Sequence, residues 1–249
     1  MASQEVNQPT SGLNSKRIIF LGGTSGIGFA TAKKAAGEGA SVVVVSSRKE
    51  KVHAALSRLP QGSEGHIVDL TSEEQISTFF NGIGQFDHLV YTAGDSLQFT
   101  NLHDMDTEAA HQMFNLRYWG ALWAAKYGSP HINPGGSILF TSGVAGTRPP
   151  KGLSVAASVC GAIEALTRAL AVELGPIRVN TACFGIMRTE LWDTVPEAER
   201  DAMYEAAASS LPVGYLGEPG DGAEVFLYLM KEKYSTGQVV VVDGGSILV

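Results

Sequence analysis

The sequence predicts an α/β protein: a doubly wound parallel sheet of about seven strands with helices on both faces. Short runs rich in β-branched residues alternate with segments of helical periodicity along the chain, which is typical of strand–helix–strand units. Two runs, at 42–45 and 239–242, contain only valine. Strands that are apolar on both sides need cover on both sides, so the pattern favours a buried parallel sheet over a barrel or a sandwich.

Each predicted element follows from its local pattern. Strands are predicted at 17–21, 41–45, 66–68, 88–91, 137–141, 178–182 and 238–242. Helices are predicted at 26–38, 49–59, 72–81, about 107–127 and about 154–174. Thr71 and Glu74 have the spacing of a capping box, which predicts the start of the third helix. A charged, helix-prone insert at about 188–211 interrupts the rhythm, and it is either a lid over a substrate or a passive surface helix.

Composition narrows the function classes. The chain has 249 residues, 44% hydrophobic and 17% charged, with a net charge of −7, which suits one domain and argues against disorder and against nucleic-acid binding. We expect a flexible, polar lead-in at 1–15 that is not a secretory signal, followed by a single domain at 16–249. No uninterrupted apolar run is long enough for a membrane span. Cys160 and Cys183 are interpreted as reduced core residues, so we expect a soluble, cytoplasmic protein.

The first predicted strand leads directly into a glycine-rich turn and a helix, with the residues Gly22, Gly23, Thr24, Ser25, Gly26, Ile27 and Gly28. Glycine permits a sharp turn and the close approach of a pyrophosphate, while the first N–H groups of the helix face the anion. A purely structural turn is the alternative. Because a second apolar strand follows about 20 residues later, the pattern favours the dinucleotide site of a Rossmann-like fold.

The end of the second strand indicates which dinucleotide is bound. It carries Ser46, Ser47 and Arg48, where sites that prefer NAD place an acidic residue on the ribose 2′-hydroxyl. Hydroxyls and a guanidinium suit a 2′-phosphate instead. We therefore predict NADP(H) as the cofactor, although Arg48 could simply begin a solvated helix.

From about residue 16 to 249 the sequence resembles the short-chain dehydrogenase/reductase family. The resemblance implies an adenine pocket at Asp69 and Leu70, and roles in the active site for Asn115 and Ser142. It also implies further cofactor contacts at short motifs that contain Ala93, Gly94, Ile186 and Thr189. The segment Asp243-Gly244-Gly245 resembles the end of the family's last strand. Two features depart from the family pattern, since Leu21 replaces a threonine and Tyr91-Thr92 replaces two asparagines.

A larger departure concerns the family's Tyr-x-x-x-Lys pair, which protonates the substrate oxygen. Counting from Ser142 by the family's spacing places this pair on Val155 and Val159. Valine neither donates a proton nor stabilises an alkoxide. We therefore expect ordinary interconversion of alcohols and ketones to be slow.

Polar residues near Asn115 and Ser142 are candidates to replace the missing tyrosine and lysine. Tyr118 lies three residues after Asn115 and shares a helix face with it, but a packed aromatic stripe that also includes Trp119 is the favoured interpretation. Arg117 points away from Asn115 in a regular helix and reaches the substrate only if the helix is distorted. Lys151 is a weaker candidate in the loop after Ser142, and Glu190 and Asp193 are similarly weak candidates in the insert.

Three functions remain open. The first is an NADP(H)-dependent reductase of a small, hydrophobic, natural-product-like substrate with an imine or an activated carbonyl. The second is a non-redox isomerase or cyclase that shapes a reactive intermediate in the same cleft. The third is a catalytically silent dinucleotide-binding scaffold. The resemblance also implies a homodimer or homotetramer through the long helices at 107–127 and 154–174.

Overall fold

The computed structural model describes residues 12–97 and 99–249, so most of the predicted lead-in lies outside the described residues. Seven strands form one parallel sheet in the order β3-β2-β1-β4-β5-β6-β7, which confirms the predicted fold class. The strands are β1 Arg17–Leu21, β2 Ser41–Ser46, β3 Glu64–Ile67, β4 Phe86–Tyr91, β5 Ile132–Gly143, β6 Arg178–Phe184 and β7 Val239–Val242. The strand order reverses between β1 and β4, and ligands of such sheets bind in the crevice at the carboxyl ends of the strands near this point.

Eight α-helices occur within the described residues. They are α1 Gly26–Gly37, α2 Lys49–Leu56, α3 Glu73–Ile83, α4 Thr107–Phe114, α5 Gly120–Gly128, α6 Ser154–Glu173, α7 Glu197–Ser210 and α8 Pro219–Lys231. One hydrophobic cluster joins the sheet to α3, α5 and α6, and a second joins the other face to α1, α2 and α8. Both faces of the sheet are therefore covered by helices. The valine run at 42–45 is buried as predicted, whereas the run at 239–242 is only half-buried and Val241 is 43% exposed.

The start of α3 differs from the prediction. Ser72, not Thr71, is its N-cap residue, and its Oγ accepts a hydrogen bond from the Gln75 backbone N–H at 3.3 Å. The Thr71 hydroxyl instead donates to Asp69 Oδ1 at 2.7 Å. The capping-box prediction is wrong because Asp69 engages the Thr71 hydroxyl before the helix begins.

The helix predicted at 107–127 is not continuous. A π-helical turn at Asn115–Trp119 separates α4 from α5. Such a turn is wider than an α-turn and occurs often at functional sites. The Tyr91 hydroxyl donates to the Leu116 carbonyl oxygen at 2.5 Å, so a side chain from the sheet contacts the backbone of this turn directly.

The insert packs as a small unit of its own. It contains a short 3-10 helix at Glu190–Trp192 and helix α7. Trp192 and Tyr204 are buried together with Leu216, and Trp192 Nε1 donates to the Met187 carbonyl oxygen at 3.1 Å. Packing of this kind holds the insert against the body of the protein.

Helix α6 is the one helix of residues 12–97 and 99–249 that is long and apolar enough to cross a membrane, judged by length and composition only. It packs against β5 and β6, and a core helix passes the same test. The sequence-based expectation considered uninterrupted apolar runs, whereas α6 reaches a mean hydropathy of 1.6 although it contains Glu164 and Arg168.

Candidate active site

The glycine-rich turn has the geometry of a pyrophosphate cradle. Gly22 and Gly26 have φ values of 93° and 52°, which side chains rarely adopt. A Cβ on Gly28 would lie 2.5 Å from the Gly22 carbonyl oxygen and still closer to Thr92 Oγ1. Ser25 is the N-cap of α1 and makes no side-chain cap hydrogen bond. The first N–H groups of α1 are therefore suited to bind an anion.

Polar groups at the ends of β2 and β3 flank this cradle. Ser47 and Arg48 are exposed, and Ser46 Oγ accepts from the Arg48 N–H at 3.3 Å. Asp69 Oδ1 accepts from both the backbone N–H and the hydroxyl of Thr71, while Leu70 is buried beside it. Because β2 is the neighbour of β1 in the sheet and β3 lies next to β2, these side chains extend the site away from the turn in one direction.

On the opposite side of the glycine-rich turn, toward β4, β5 and β6, lies a cavity of about 500 Å³. Its floor is formed by residues at the carboxyl ends of β4, β5 and β6, and its walls by α6 and the insert. Ile27 and Thr189 connect the cavity to the glycine-rich turn. The other residues that matter for its chemistry are Ala93, Arg117, Ser142, Ala156, Val159, Cys160, Ile163, Ile186, Leu191, Trp192, Ala207 and Leu211. The cavity is thus largely apolar, with Ser142 in its wall.

The insert contributes to the cavity wall. Leu191 and Trp192 line it from the short 3-10 helix, and Ala207, Ser210 and Leu211 line it from the end of α7. Trp192 also stacks on Phe99, with 6.3 Å between ring centroids. Residues of both helical segments of the insert therefore form part of the cavity wall.

Ser142 forms the polar centre of this wall. Its side chain is buried, and its Oγ donates to Glu164 Oε1 at 2.8 Å. The Cys160 carbonyl oxygen is a longer alternative acceptor at 3.5 Å. Burial raises the pKa of the Cys160 thiol, although hydrogen bonds with Gly143 and Ser142 act in the opposite direction. The thiol is therefore neutral at physiological pH.

The face of α6 that contacts the cavity differs from the prediction by one residue. Ala156, Val159, Cys160 and Ile163 line the cavity, and Val155 does not. Two pairs of lining positions are four residues apart: Ala156 with Cys160, one residue later than the predicted pair, and Val159 with Ile163, which shares Val159 with it. The connection between Ser142 and α6 includes a 3-10 turn at Val144–Gly146 and a glycine with positive φ, Gly152. Neither tyrosine nor lysine occurs among the described lining residues of α6.

Arg117 reaches the cavity because of the π-helical turn. Its Nε donates to Asp95 Oδ1 at 2.9 Å, and its guanidinium lies over the backbone of Gly94, 2.8 Å from where a Cβ would stand. The sequence predicted contact with a substrate only if the helix is distorted, and the π-helical turn supplies that distortion. Glycine at position 94 leaves the room that the guanidinium occupies.

Three other predicted residues do not meet Ser142. Asn115 donates through Nδ2 to the Thr71 carbonyl oxygen at 3.2 Å and lines a separate surface cleft with His111. Tyr118 packs edge-on against Trp119, with 5.4 Å between ring centroids. Lys151 is exposed. None of the three is among the cavity-lining residues described. Asn115 and Tyr118 lie in the same π-helical turn as Arg117, and Lys151 lies in the loop before α6.

Glu164 and Cys160 are the residues that the sequence reasoning missed. An available signal was the apolar stripe of α6, whose buried members include Ala156, Val159 and Ile163. Val155 lies off this stripe. Following the stripe instead of counting from Ser142 selects the correct helix face, and Glu164 follows Ile163 directly on the side of Ser142.

Two weak candidates in the insert are also placed. Glu190 Oε2 is 3.4 Å from where a Cβ on Gly26 would stand, so it lies near the glycine-rich turn. Asp193 forms an ion pair with Arg200 at 3.3 Å, within the insert itself. Neither residue is among the described lining residues of the cavity.

Comparisons with known proteins agree with this architecture. A family model described as "Enoyl-(Acyl carrier protein) reductase" matches residues 22–246. The curated "Short-chain dehydrogenase/reductase ATR9" of Stachybotrys chlorohalonatus is 38% identical over 95% of this chain and 98% of its own length. Similar solved structures include a small-chain dehydrogenase in complex with NADPH, with a TM-score of 0.85 and 37% identity over 95% of this chain and 100% of that one. Another is the MalC reductase/Diels-Alderase of Malbranchea aurantiaca, with a TM-score of 0.89 and 28% identity over 97% of this chain and 100% of that one.

The family model and this identity over nearly the full length, together with the seven-stranded sheet, lead to one assignment. The chain belongs to the short-chain dehydrogenase/reductase family of nicotinamide-dependent oxidoreductases.

Proposed function

We propose that the protein is a cytoplasmic NADP(H)-dependent reductase of a small hydrophobic substrate whose reacting group is an imine or an activated carbonyl. One observation carries the proposal: Ser142 faces an apolar cavity whose α6 wall offers Ala156, Val159, Cys160 and Ile163. A ketone that accepts a hydride becomes an alkoxide and needs a proton donor. An iminium that accepts a hydride becomes a neutral amine and needs none.

The cofactor part of the proposal depends on the cradle. The N–H groups of α1 and the glycines at 22, 26 and 28 fit a pyrophosphate, and the exposed Ser47 and Arg48 suit a 2′-phosphate. The 37% identical relative is a complex with NADPH. When bound, NADPH supplies the hydride. The residues proposed to hold it are Gly22, Thr24, Ser25, Gly26, Ile27, Gly28, Ser46, Ser47, Arg48, Asp69, Leu70, Ala93, Gly94, Ile186 and Thr189.

Arg117 is proposed to compensate for the missing lysine in cofactor binding. In the family, the tyrosine and lysine also hold the nicotinamide ribose. Here the guanidinium lies over Gly94 in the cavity wall, fixed by Asp95, where its remaining N–H groups suit ribose hydroxyls. Ser142 and the apolar wall would orient the substrate and exclude water.

The test is a turnover assay with NADPH. The panel contains cyclic imines, quinones and diketones, together with simple ketones as a comparison set. Oxidation of NADPH with imines or activated carbonyls, and little with simple ketones, is expected. A panel in which no compound oxidises NADPH above background contradicts the proposal.

A second candidate is a non-redox cyclase or isomerase that uses the same cavity. Its support is the apolar, aromatic-rimmed wall and a 28% identical relative named a reductase/Diels-Alderase. An enclosed apolar cavity favours one conformation of a hydrophobic intermediate. Product formation that continues without nicotinamide, or equally with NADP⁺ and NADPH, would support this candidate over the reductase.

We also propose a homodimer or homotetramer. Trp119 is 46% exposed and stacks on Trp123 at 6.1 Å between ring centroids. In α6, only 28% of the most apolar 18-residue stretch is buried, and Val172 is 86% exposed. Apolar surface of this extent suits a symmetric partner. Sedimentation equilibrium is expected to give a dimer or tetramer mass, and a monomer across the micromolar range contradicts the proposal.

A further inference from the structure

The hydrogen bond between Ser142 and Glu164 determines whether Ser142 donates or accepts a hydrogen bond in the cavity. A carboxylate only accepts hydrogen bonds, and a serine hydroxyl has one hydrogen to donate. Since Ser142 Oγ lies 2.8 Å from Glu164 Oε1, the hydroxyl hydrogen points to Glu164. What remains for a cavity ligand is the lone pairs of the serine oxygen, so Ser142 acts there as an acceptor.

The surroundings reinforce this arrangement. The alternative acceptor, the Cys160 carbonyl oxygen, is both neutral and more distant at 3.5 Å, and charged acceptors form the stronger bonds. Glu164 contacts Ser142 from α6 but is not itself among the described lining residues. In the described residues, no lysine, arginine or histidine forms an ion pair with it. Its negative charge is therefore not neutralised by a neighbouring cation.

The two arginines of the cavity wall, Arg117 and Arg148, do not neutralise the negative charge of Glu164. Arg117 is paired with Asp95 at 2.9 Å. Arg148 is exposed and donates to the Ser246 carbonyl oxygen at 2.6 Å, so solvent screens its charge. Next to Ser142 the wall consists of neutral groups, since the Cys160 thiol is protonated and Ala156 and Val159 are apolar.

We propose that Glu164 is a positioning residue that holds Ser142 as a hydrogen-bond acceptor, so that the cavity selects a protonated nitrogen at the reacting position over a neutral carbonyl oxygen. The inference rests on the proposed reductase function for the reaction itself, and it narrows the substrate class to iminium ions. A cationic N–H donates to the Ser142 oxygen and is stabilised by the charge behind it. A carbonyl oxygen meets lone pairs there and gains no hydrogen bond.

The test is calorimetric binding of two compounds of the same shape to the full-length protein. Tetrahydroisoquinoline is a cationic N–H donor at neutral pH, whereas isochroman carries an ether oxygen, which only accepts, at a ring position. Wild type is expected to bind the ammonium compound at least about tenfold more tightly, because hydrogen bonds to charged groups exceed neutral ones by about that factor. Equal affinities, tighter isochroman binding, or no binding of either compound overturns the inference.

Variants separate the roles of the two residues. Glu164→Gln removes the charge with little change of shape, and it is expected to reduce the preference to about threefold or less. Ser142→Ala should have the same effect even if Glu164→Gln does not fold. Glu173→Gln, an exposed acid on the same helix, changes the net charge equally and should keep the preference. A Glu164→Gln protein that melts like wild type and keeps the full preference also overturns the inference.

Turnover of 3,4-dihydroisoquinoline with NADPH distinguishes this inference from the proposed function. If the imine is reduced, Glu164→Gln should raise KM several-fold more than it lowers kcat. If it is not reduced but the binding preference and its loss in Glu164→Gln persist, the reductase proposal fails for this substrate class and the acceptor role of Ser142 stands.

Discussion

The two halves of the site depend on different kinds of contact. The proposed cofactor half is centred on backbone, the turn at Gly22–Gly28 and the N–H groups of α1, with polar side chains added at the ends of β2 and β3. The proposed substrate half is made of side chains from β5, α6, the π-helical turn and the insert. The first half keeps the glycine spacing of the family, although Leu21 and Tyr91-Thr92 depart from its pattern. The second half lacks the family's phenol and ammonium among the described α6 residues that line the cavity with Ser142.

The difference shows which parts of an enzyme tolerate change. A glycine whose missing Cβ admits a neighbouring backbone cannot be replaced without moving both segments. A side chain that points into a cavity can be replaced without moving the sheet. The groups available to a substrate then change while the glycine-rich turn keeps its structure. Substitutions in each half therefore put this contrast to the test.

The largest effect is expected from restoring the family pair on the face that meets Ser142. Ala156→Tyr with Cys160→Lys should raise the rate of reduction of simple ketones about 100-fold or more, the usual contribution of a positioned general acid. Initial rates of NADPH oxidation measure it. The matched control is Val155→Tyr with Val159→Lys, in which the lysine position lines the cavity but the tyrosine position, Val155, does not. A gain in the control protein, and none in the first, would show that position 155 rather than position 156 faces Ser142.

Gly28→Ala should weaken NADPH binding about tenfold or more, because the new Cβ displaces the Gly22 backbone and Thr92. Overpacking of this kind also costs about 1–3 kcal/mol of stability. The measurement is the rise in melting temperature with NADPH concentration. Gly37→Ala on the same helix has no atom within 4 Å of its Cβ and should keep wild-type affinity. Equal behaviour of the two variants would remove the argument for a tight cradle.

Sequence patterns predicted the parallel sheet and the glycine-rich turn after β1 because the determinants of both are local. The valine runs and the glycine spacing lie within single strands and turns, and the structure places them in one parallel sheet with a cradle at its switch point. The substrate half depends on contacts between distant segments. The π-helical turn involves the hydroxyl of Tyr91 from β4, and the face of α6 depends on the path of the connection after Ser142. Residue spacing along the chain predicts neither the π-helical turn nor the face of α6 that lines the cavity.

Arg48→Asp tests the outer end of the cofactor half. It should weaken NADPH binding about tenfold and leave NADH binding unchanged or improved, because the carboxylate repels a 2′-phosphate and accepts from a 2′-hydroxyl. Fluorescence titration with both cofactors measures the ratio. Lys51→Asp makes the same charge change within the first turn of α2 and should leave the ratio unchanged. An unaltered ratio in Arg48→Asp would show that the guanidinium is only a solvated start of α2.

The smallest effect concerns the loss of folding stability at low pH. It tests whether this loss arises in the site or in the sheet beneath the site, where His88 lies in β4. Burial lowers the pKa of His88 to about 3, with Asp87 opposing and Arg178 and Lys16 adding to the shift. Its ring Nδ1 lies 2.9 Å from Ser137 Oγ. The unfolded chain takes up a proton on this histidine below about pH 6.5 and the folded protein does not, so its contribution to stability is lost as the pH falls from about 6.5 towards 3.

The slope of this loss approaches about 1.4 kcal/mol per pH unit. Urea unfolding between pH 4 and 8 should show it in wild type and in Ser137→Ala, which keeps the histidine. The double variant His88→Leu with Ser137→Ala removes both hydrogen-bonding partners and should lose this part of the slope. If all three proteins share one slope, acid sensitivity does not arise from His88. If only the double variant has a smaller slope of unfolding free energy against pH, His88 is a source of the loss of stability. A fall in activity at mildly acidic pH is then explained by unfolding, without titration of a group in the cofactor cradle or of Ser142.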